Sequence, residues 1–537
     1  MASNLARART LTAFHSCVER ALDVVSYRAR DMASIVLATL NAKWIHASFG
    51  LRCLLANLGE LRGDAVLVEG TLADRTLEFA ERILAHRPRI VGLGVYVWNA
   101  HESELLVSAL KRIAPKVVVV LGGPEVSHET DTQRITALAD YVVCGEGELA
   151  FVELCREVLA GRAPTERVVS ATLPQLAALV SPYSEYGDED VRHRVVYVES
   201  SRGCPYSCEF CLSALDEKVR EFPLVPFLAD MDALLARGLL AFKFVDRTFN
   251  LSIATSTAIL EFFLARVRPG LFLHFEMIPD RLPEPLRALL ARFPAGMVQL
   301  EVGIQSFDDA VTARISRVQN TAKLEANLRF LREHTGVHLH TDLIAGLPGE
   351  DLASFARGFD RLVALRPHEI QVGILKRLRG APIARHDSEH GMVYAEHPPY
   401  EVLATRVLSF GELQSVRRFA RVWDLVGNSG NFERSAPLLW STGSAYAGVA
   451  AFSEALHARE GALHGIALDR LAEALFEHLL ARGCPREVVG RELFADYQRT
   501  RAEHWPEFLR DFAGDAPRRV KSARSPSKTG ARQRRVH

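Results

Sequence analysis

Three cysteines, Cys204, Cys208 and Cys211, stand at a C-x3-C-x2-C spacing within Ser201-Arg202-Gly203-Cys204-Pro205-Tyr206-Ser207-Cys208-Glu209-Phe210-Cys211. Thiolates are soft ligands suited to zinc or to iron–sulfur clusters. Structural zinc asks for four protein ligands, whereas three thiolates on a [4Fe–4S] cluster leave one iron open to a small molecule. Two assignments therefore stand at this point: a zinc knuckle with a distant fourth ligand, and a cluster with one exchangeable iron.

The elements around the loop must position it. The run Arg194–Glu199 is mostly apolar and β-branched and predicts a strand, which puts the thiols in a loop at the strand's carboxyl end. Downstream, Ala241–Asp246, Leu271–Met277, Met297–Gly303, Val337–Ile344 and Ile370–Leu375 predict further strands separated by helical patterns. Together they imply a six-unit partial βα barrel, a fold that binds at the carboxyl ends of its strands. Those ends carry Asp246 and Thr248, Glu276, Gln305 followed by Arg317, and Ile344 with Gly346.

Upstream, Ile35–Leu40, Ala65–Glu69, Ile90–Val95, Val117–Leu121 and Tyr141–Val143 alternate with amphipathic stretches such as Leu72–Ala85 and Glu102–Ile113. That rhythm predicts a Rossmann-like, doubly wound parallel sheet. No G-x-G-x-x-G opens its first helix, which counts against a dinucleotide site. Its strand ends instead carry Gly122-Gly123-Pro124-Glu125 and Gly145-Glu146-Gly147-Glu148, where missing side chains let backbone approach a ligand.

The whole chain is α/β with a helical carboxyl-terminal part. We expect an extension over 1–31, a ligand-binding sheet domain over 32–161, a Pro-rich linker over 162–192, the barrel over 193–385, a helical domain over 386–514 and a basic tail over 515–537. Within the helical domain the periodic stretches are Glu401–Val416, Ala450–His457, Ile466–Arg482 and Glu487–Tyr497, with Gly427-Asn428-Ser429-Gly430-Asn431 marking a long connection.

With 537 residues the chain is long enough for several cores. Its 65 Lys and Arg balance 65 Asp and Glu, so net charge selects no partner. Five of the eight cysteines are scattered without paired spacing, as expected in a reducing, cytoplasmic setting. No apolar run of membrane-spanning length is present. The tail from Arg518 to Arg535 has basic residues, no acidic residue and no aromatic; it suits a solubilising role, with non-specific attraction for nucleic acid as the alternative.

The cysteine loop resembles the signature of the radical S-adenosylmethionine (SAM) superfamily, and the resemblance runs from about Arg194 to Pro382. It implies a [4Fe–4S] cluster on Cys204, Cys208 and Cys211, and SAM chelated to the open iron, with Phe210 near the adenine. It further implies that Asp246 or Thr248 serves the SAM amino group, where relatives place glycines that this chain lacks. Glu276 falls to the ribose or amino group. Glu301-Val302-Gly303-Ile304-Gln305-Ser306 resembles the Gly-x-Gln-Ser segment of oxygen-independent coproporphyrinogen oxidases, which gives Gln305 the nucleoside and Arg317 the carboxylate. Backbone at Ile344 and Gly346 would lie along the adenine.

The preceding domain is similar to the cobalamin-binding domain found ahead of many radical SAM cores, with Gly122, Gly123, Gly145 and Glu146 bordering the corrin and its nucleotide tail. It departs from the D-x-H-x-x-G motif, since Trp44 and Phe49 stand where the aspartate and glycine would be, so His46 is not expected on cobalt. The helical end resembles a cobalamin-type subfamily of unestablished substrate. These resemblances imply a cobalamin-dependent radical SAM enzyme, methylating an unactivated carbon of a small molecule and fed by an external donor such as flavodoxin or ferredoxin. Radical rearrangement or oxidative cyclisation, RNA modification and a non-catalytic cluster sensor are the alternatives.

Overall fold

The computed structural model describes residues 32–215, 218–501 and 505–512. The extension over 1–31 and the tail over 515–537 lie outside the described residues. Two compact units make up the chain: the first runs to Val196 and takes in Asp230–Gly238, and the second comprises Tyr197–Ala229 and everything from Leu239 onward.

The first unit is a six-stranded parallel sheet in the order β2-β1-β3-β4-β5-β6. Its strands are β1 (Ile35–Asn41), β2 (Ala65–Thr71), β3 (Ile90–Gly94), β4 (Val118–Gly122), β5 (Tyr141–Cys144) and β6 (Val168–Ser170). β1 is buried along its whole length because helices cover both faces. Val36, Ala38 and Leu40 meet the helices Thr76–Leu84 and Ala100–Ile113 on one side; Ile35 and Leu37 meet Phe49–Ala56 and Glu148–Leu159 on the other. Alternate residues of a strand face opposite ways, so one apolar run feeds two cores. β6 falls in the stretch read from sequence as linker: Val168–Ser170 pairs with β5 and adds an edge strand.

The second sheet is also parallel, in the order β14-β13-β12-β11-β10-β7. It is built from β7 (Val196–Val198), β10 (Ala241–Phe244), β11 (Phe272–Met277), β12 (Val298–Gln305), β13 (His338–Ala345) and β14 (Glu369–Ile374). A small ribbon, β8 (Ser201–Arg202) with β9 (Arg220–Glu221), flanks the cysteine loop. The barrel strands alternate sharply. Val298, Leu300, Val302 and Ile304 of β12 are buried apolar residues, while Gln299, Glu301, Gly303 and Gln305 take the other face. In register with that face stand His274 and Glu276 of β11 and His340 and Asp342 of β13. One face of the sheet is therefore unusually polar.

The first long helix of the carboxyl-terminal part starts at Phe410, not at Glu401. Ser409 and Glu412 form a capping box that starts the helix Phe410–Trp423, and Val402–Ala404 is instead β16, paired antiparallel with β15 (Val393–Tyr394). The helices Ala445–Glu460, Leu468–Ala481 and Arg486–Thr500 follow. Phe419 and Trp423 pack edge-on against Phe359 of the barrel helix Leu352–Ala364, joining helices and barrel in one apolar core. Between these helices the expected connection is shaped as a π turn over Asp424–Asn428 and a 3-10 turn over Ala436–Trp440. The Asn428 amide is fully used: its Oδ1 accepts from Ile370 N at 2.9 Å and its Nδ2 donates to Ile370 O at 2.8 Å.

Candidate active site

At the carboxyl ends of the barrel strands lies a cavity of about 190 Å³, and Cys204, Cys208 and Cys211 are all in its lining. All three are free thiols. The loop that carries them is held from several sides. Asp246, only 1% exposed, accepts from Ser200 N at 3.0 Å, Ser200 Oγ at 2.7 Å and Ser201 Oγ at 2.6 Å, which fixes the chain where it leaves β7. Gly203 has φ +92°, and a side chain there would run into Lys218 O, so the turn before Cys204 needs glycine.

Glu209 is the second anchor. It is 2% exposed, and its carboxylate accepts from Ser316 Oγ at 2.6 Å, from Arg385 and from His386 Nε2 at 2.7 Å. Its backbone N–H donates to Ile315 O at 3.1 Å and its carbonyl accepts from Ile383 N at 2.9 Å. One residue thus pins the middle of the cysteine loop to the turn before Arg317 and to the segment that follows β14.

Arg317 enters the cavity from that turn. Its Nη1 lies 3.4 Å from Cys208 Sγ and its Nη2 donates to the Gly303 carbonyl, while Nε is buried with no partner. Burial pushes the Cys208 thiol up, and the Arg317 charge partly offsets that. Gln305 reaches the same wall through a bulge in β12 at φ +70°. Its amide folds back over Gly303, where a Cβ would lie 2.4 Å from Gln305 Nε2, so this glycine makes room for the glutamine.

Titratable groups fill the floor. Glu276 is pushed up to about 7 by burial, with Arg247 across the cavity partly offsetting it. Burial also acts to raise Glu301, but the hydrogen bond from His274, at 3.0 Å, outweighs it and holds Glu301 at about 2. Burial acts to lower His340; Asp342 at 3.2 Å and Glu369 at 3.0 Å prevail and raise it to about 10. Burial raises Asp342, which lines the cavity.

Of the residues singled out in the sequence, Phe210, Thr248, Glu276, Gln305 and Arg317 line this cavity with the three cysteines. Asp246 does not; it serves the Ser200–Ser201 turn beneath. Ile344 packs at the edge of an apolar cluster with Leu347, Leu375 and Leu413, and Gly346 lies where a Cβ would be 2.5 Å from Val402 Cγ1, so its missing side chain admits the carboxyl-terminal segment. Arg247, Glu301, Gln319 and Asp342 also line the cavity. The sequence signal for Glu301 and Asp342 was their two-residue spacing from Gly303 and His340, which puts them on the inner face.

The residues fit a cluster with bound SAM. Three thiols converge with no fourth protein thiol in the lining, and Gln305 Oε1, Arg317 Nε and Gln319 Oε1 are buried polar atoms without hydrogen-bond partners, all on one cavity. A polar ligand there would satisfy them.

In the first unit the strand ends form a separate ledge. Asn99, fully buried, donates to Leu40 O at 3.0 Å and Gly94 O at 3.2 Å and so joins the ends of β1 and β3, the point where strand order reverses. Gly122 is open: an added Cβ would meet nothing nearer than Val143 O at 3.7 Å. Gly123 differs, since at φ +110° a Cβ would lie 2.4 Å from Val95 O, so this glycine serves loop packing. Gly145 is left-handed at φ +86° with only Ala171 near, and Glu146 follows it at the β5 end. Arg52 and Arg194 share Glu69 at 2.9 and 2.7 Å and tie the 190–194 segment to the end of β2. Arg194 also donates to the His46 carbonyl, so His46 is fixed by its backbone.

Residues 35–155 match the B12 binding domain family, residues 198–362 the radical SAM superfamily, and residues 388–457 a protein family of unknown function, DUF4080. The chain is 28% identical over 334 residues to a 2-(S-pantetheinyl)-carbapenam-3-carboxylate methyltransferase of Streptantibioticus cattleyicolor, covering 55% of this chain and 48% of that one. It is 28% identical over 344 residues to the cobalamin-dependent radical SAM methyltransferase TokK of Streptomyces tokunonensis, covering 57% and 49%. The chain thus spans about half the length of these curated relatives. The fold is similar to that of the radical SAM methyltransferase TsrM from Kitasatospora setae with cobalamin and a [4Fe–4S] cluster bound, at a TM-score of 0.56 and 20% identity over 68% of this chain and 78% of that one. This chain carries a B12-binding domain followed by a radical SAM domain, and its cofactors are accordingly a [4Fe–4S] cluster, SAM and cobalamin. Among the described residues no helix is long and apolar enough to cross a membrane.

Proposed function

We propose that this protein is a cobalamin-dependent radical SAM methyltransferase that places a methyl group on an unactivated carbon of a small molecule, with electrons from an external donor such as flavodoxin or ferredoxin. The observation that carries the reading is the single cavity on which three free thiols meet three orphaned polar side-chain atoms, in a chain that also bears a B12-binding domain. When bound, the cluster and SAM supply a 5'-deoxyadenosyl radical, and cobalamin supplies a transferable methyl group.

The protein's own residues hold and orient. Cys204, Cys208 and Cys211 ligate the cluster. Arg317 presents a forked donor set suited to a carboxylate, and Gln305 an amide suited to the nucleoside. Glu276, whose carboxyl titrates at about 7, accepts from the ribose or the amino group in its ionised form, and Phe210 lies against the adenine. Glu209 and Asp246 keep the loop from shifting when these ligands bind. In the first unit, Gly122, Gly145 and Glu146 border the corrin, and Gly123 holds the loop beside them.

The experiment is anaerobic reconstitution followed by turnover with methyl-deuterated SAM and metabolite extract from a strain lacking the gene. 5'-Deoxyadenosine together with a labelled-methyl product supports the reading. 5'-Deoxyadenosine with an unmethylated product would replace it with radical rearrangement or cyclisation.

A further inference from the structure

A second cavity, of about 410 Å³, lies at the other end of the barrel sheet, where the amino ends of β13 and β14 meet the segment from Trp423 to Trp440. The size is that of a small-molecule pocket. One wall is aromatic, with the indoles of Trp423 and Trp440 at 5.9 Å and 44° and Phe432 beside them. Its floor is the His338–Glu369 pair, at 3.1 Å.

Two independent features mark this cavity as built. Trp423 is only 6% exposed, and its Nε1 is a buried donor with no hydrogen-bond partner. Such donors are rare because the lost water bond is not replaced. The backbone beneath the indole is equally unusual. Trp423 is followed by the π turn Asp424–Asn428, and Gly427 passes so close that a Cβ would lie 2.6 Å from Trp423 Cε2. Single π turns recur at functional sites. Asn428 then locks this turn to Ile370 of β14.

The polar groups define what would fit. Both Glu369 oxygens are occupied, one by His338 and the other by His340, so the floor's carboxylate is already matched. Arg332 donates to Arg366 O at 2.8 Å, and the Arg366 side chain stands exposed at the rim. An orphaned N–H, a rim guanidinium and flat aromatic walls call for a planar apolar body carrying an acceptor or an anion.

We propose that this cavity is a second small-molecule site, specific for planar aromatic carboxylates, with the ring against Trp423 and Trp440 and the carboxylate drawn to Trp423 Nε1 and Arg366. The site is separate from the cluster cavity and shares no lining residue with it. The competing occupant is water: at about 30 Å³ per molecule the space would hold roughly a dozen.

Calorimetric titration of the reconstituted protein with indole-3-acetate, and with its uncharged analogue indole-3-acetamide, tests this. We expect one equivalent of the acid to bind, about tenfold tighter than the amide, since a charge-assisted bond is worth more than a neutral one. Arg366→Ala, at an exposed position, should erase that preference without altering the melting temperature. Trp423→Phe, which keeps a ring and removes the donor, should weaken both ligands about fivefold, the size of one hydrogen bond. Ala436→Phe fills the space and should abolish binding. The Cys204, Cys208 and Cys211 triple alanine variant should bind as wild type, whatever becomes of the cluster reading. Absence of binding by the wild type at millimolar acid, binding unchanged in Ala436→Phe, or binding lost in the triple variant would each overturn the assignment.

Discussion

Arg317 stands with Nη1 3.4 Å from the Sγ of Cys208, so one side chain touches a cluster thiol while its unpartnered Nε remains for a ligand. Cluster loop and SAM carboxylate would then be read by the same guanidinium. Arg317→Ala should weaken SAM binding by about 1.5–3 kcal/mol, the worth of a charged hydrogen bond. Gln305→Ala should act in the same direction. Equilibrium binding to reconstituted protein measures both, with iron content as the control; unchanged affinity in both variants would detach these residues from SAM. Iron itself should be lost in the triple alanine variant of Cys204, Cys208 and Cys211 and retained in Cys484→Ala.

Glu209 should matter to cluster retention although it touches no cluster atom. Glu209→Ala removes the acceptor of Ser316, Arg385 and His386 and should cost about 3 kcal/mol, the range for breaking a buried charged network. Cluster loss on air exposure, followed by absorbance, should be faster. Glu209→Gln keeps two acceptor contacts and should fall between. Equal loss rates in all three proteins would show that the loop is held without this strut.

The raised Glu276 carboxyl gives SAM binding a pH signature. Its folded value of about 7 lies above the ordinary one, so the ligand-free fold favours the protonated form and stability falls as pH rises from the unfolded value through about 7. SAM, with donors that favour the ionised carboxylate, should bind more tightly as pH increases across the same window. Glu276→Gln should flatten that dependence. A wild-type affinity constant between about pH 6 and pH 8 would remove Glu276 from the SAM contacts.

Two adjacent glycines should behave differently. Gly122→Trp projects from an open ledge and should expel cobalamin while the protein melts normally. Gly123→Ala meets the Val95 carbonyl and should lower the melting temperature, with loss of cofactor following from that. His46→Ala should retain cobalamin. Ultraviolet–visible titration beside thermal melting separates these cases; full cobalamin binding by Gly122→Trp would clear the ledge of any role.

Strand positions were legible because both sheets alternate or saturate with apolar residues: β12 reads Val-Gln-Leu-Glu-Val-Gly-Ile-Gln, two faces in one line. The cysteine spacing marked a thiolate metal site, and the family resemblance, not the spacing, pointed to the iron–sulfur cluster over zinc. Function at Asp246 was harder to read, since a carboxylate after a strand looks the same whether it serves a ligand or, as here, two serines some 45 residues earlier. Gly346 was similarly opaque, because its constraint is Val402, far along the chain. The start of the first long helix of that part was misplaced at Glu401 for a local reason. Helical periodicity continues upstream of the capping box at Ser409, and only pairing with Val393–Tyr394 makes Val402–Ala404 extended.

Asn428 has a consequence for solubility. A barrel that does not close leaves two rims, and β14 is one of them. An exposed rim of backbone N–H and C=O groups is a template on which another chain can add a strand. The Asn428 side-chain amide satisfies both Ile370 groups in the geometry that a neighbouring peptide would use, and Val402 N adds a bond to Leu375 O further along. At Ile370 the rim is thereby occupied by the chain's own later residue, which leaves no free backbone pair at that position for an added strand.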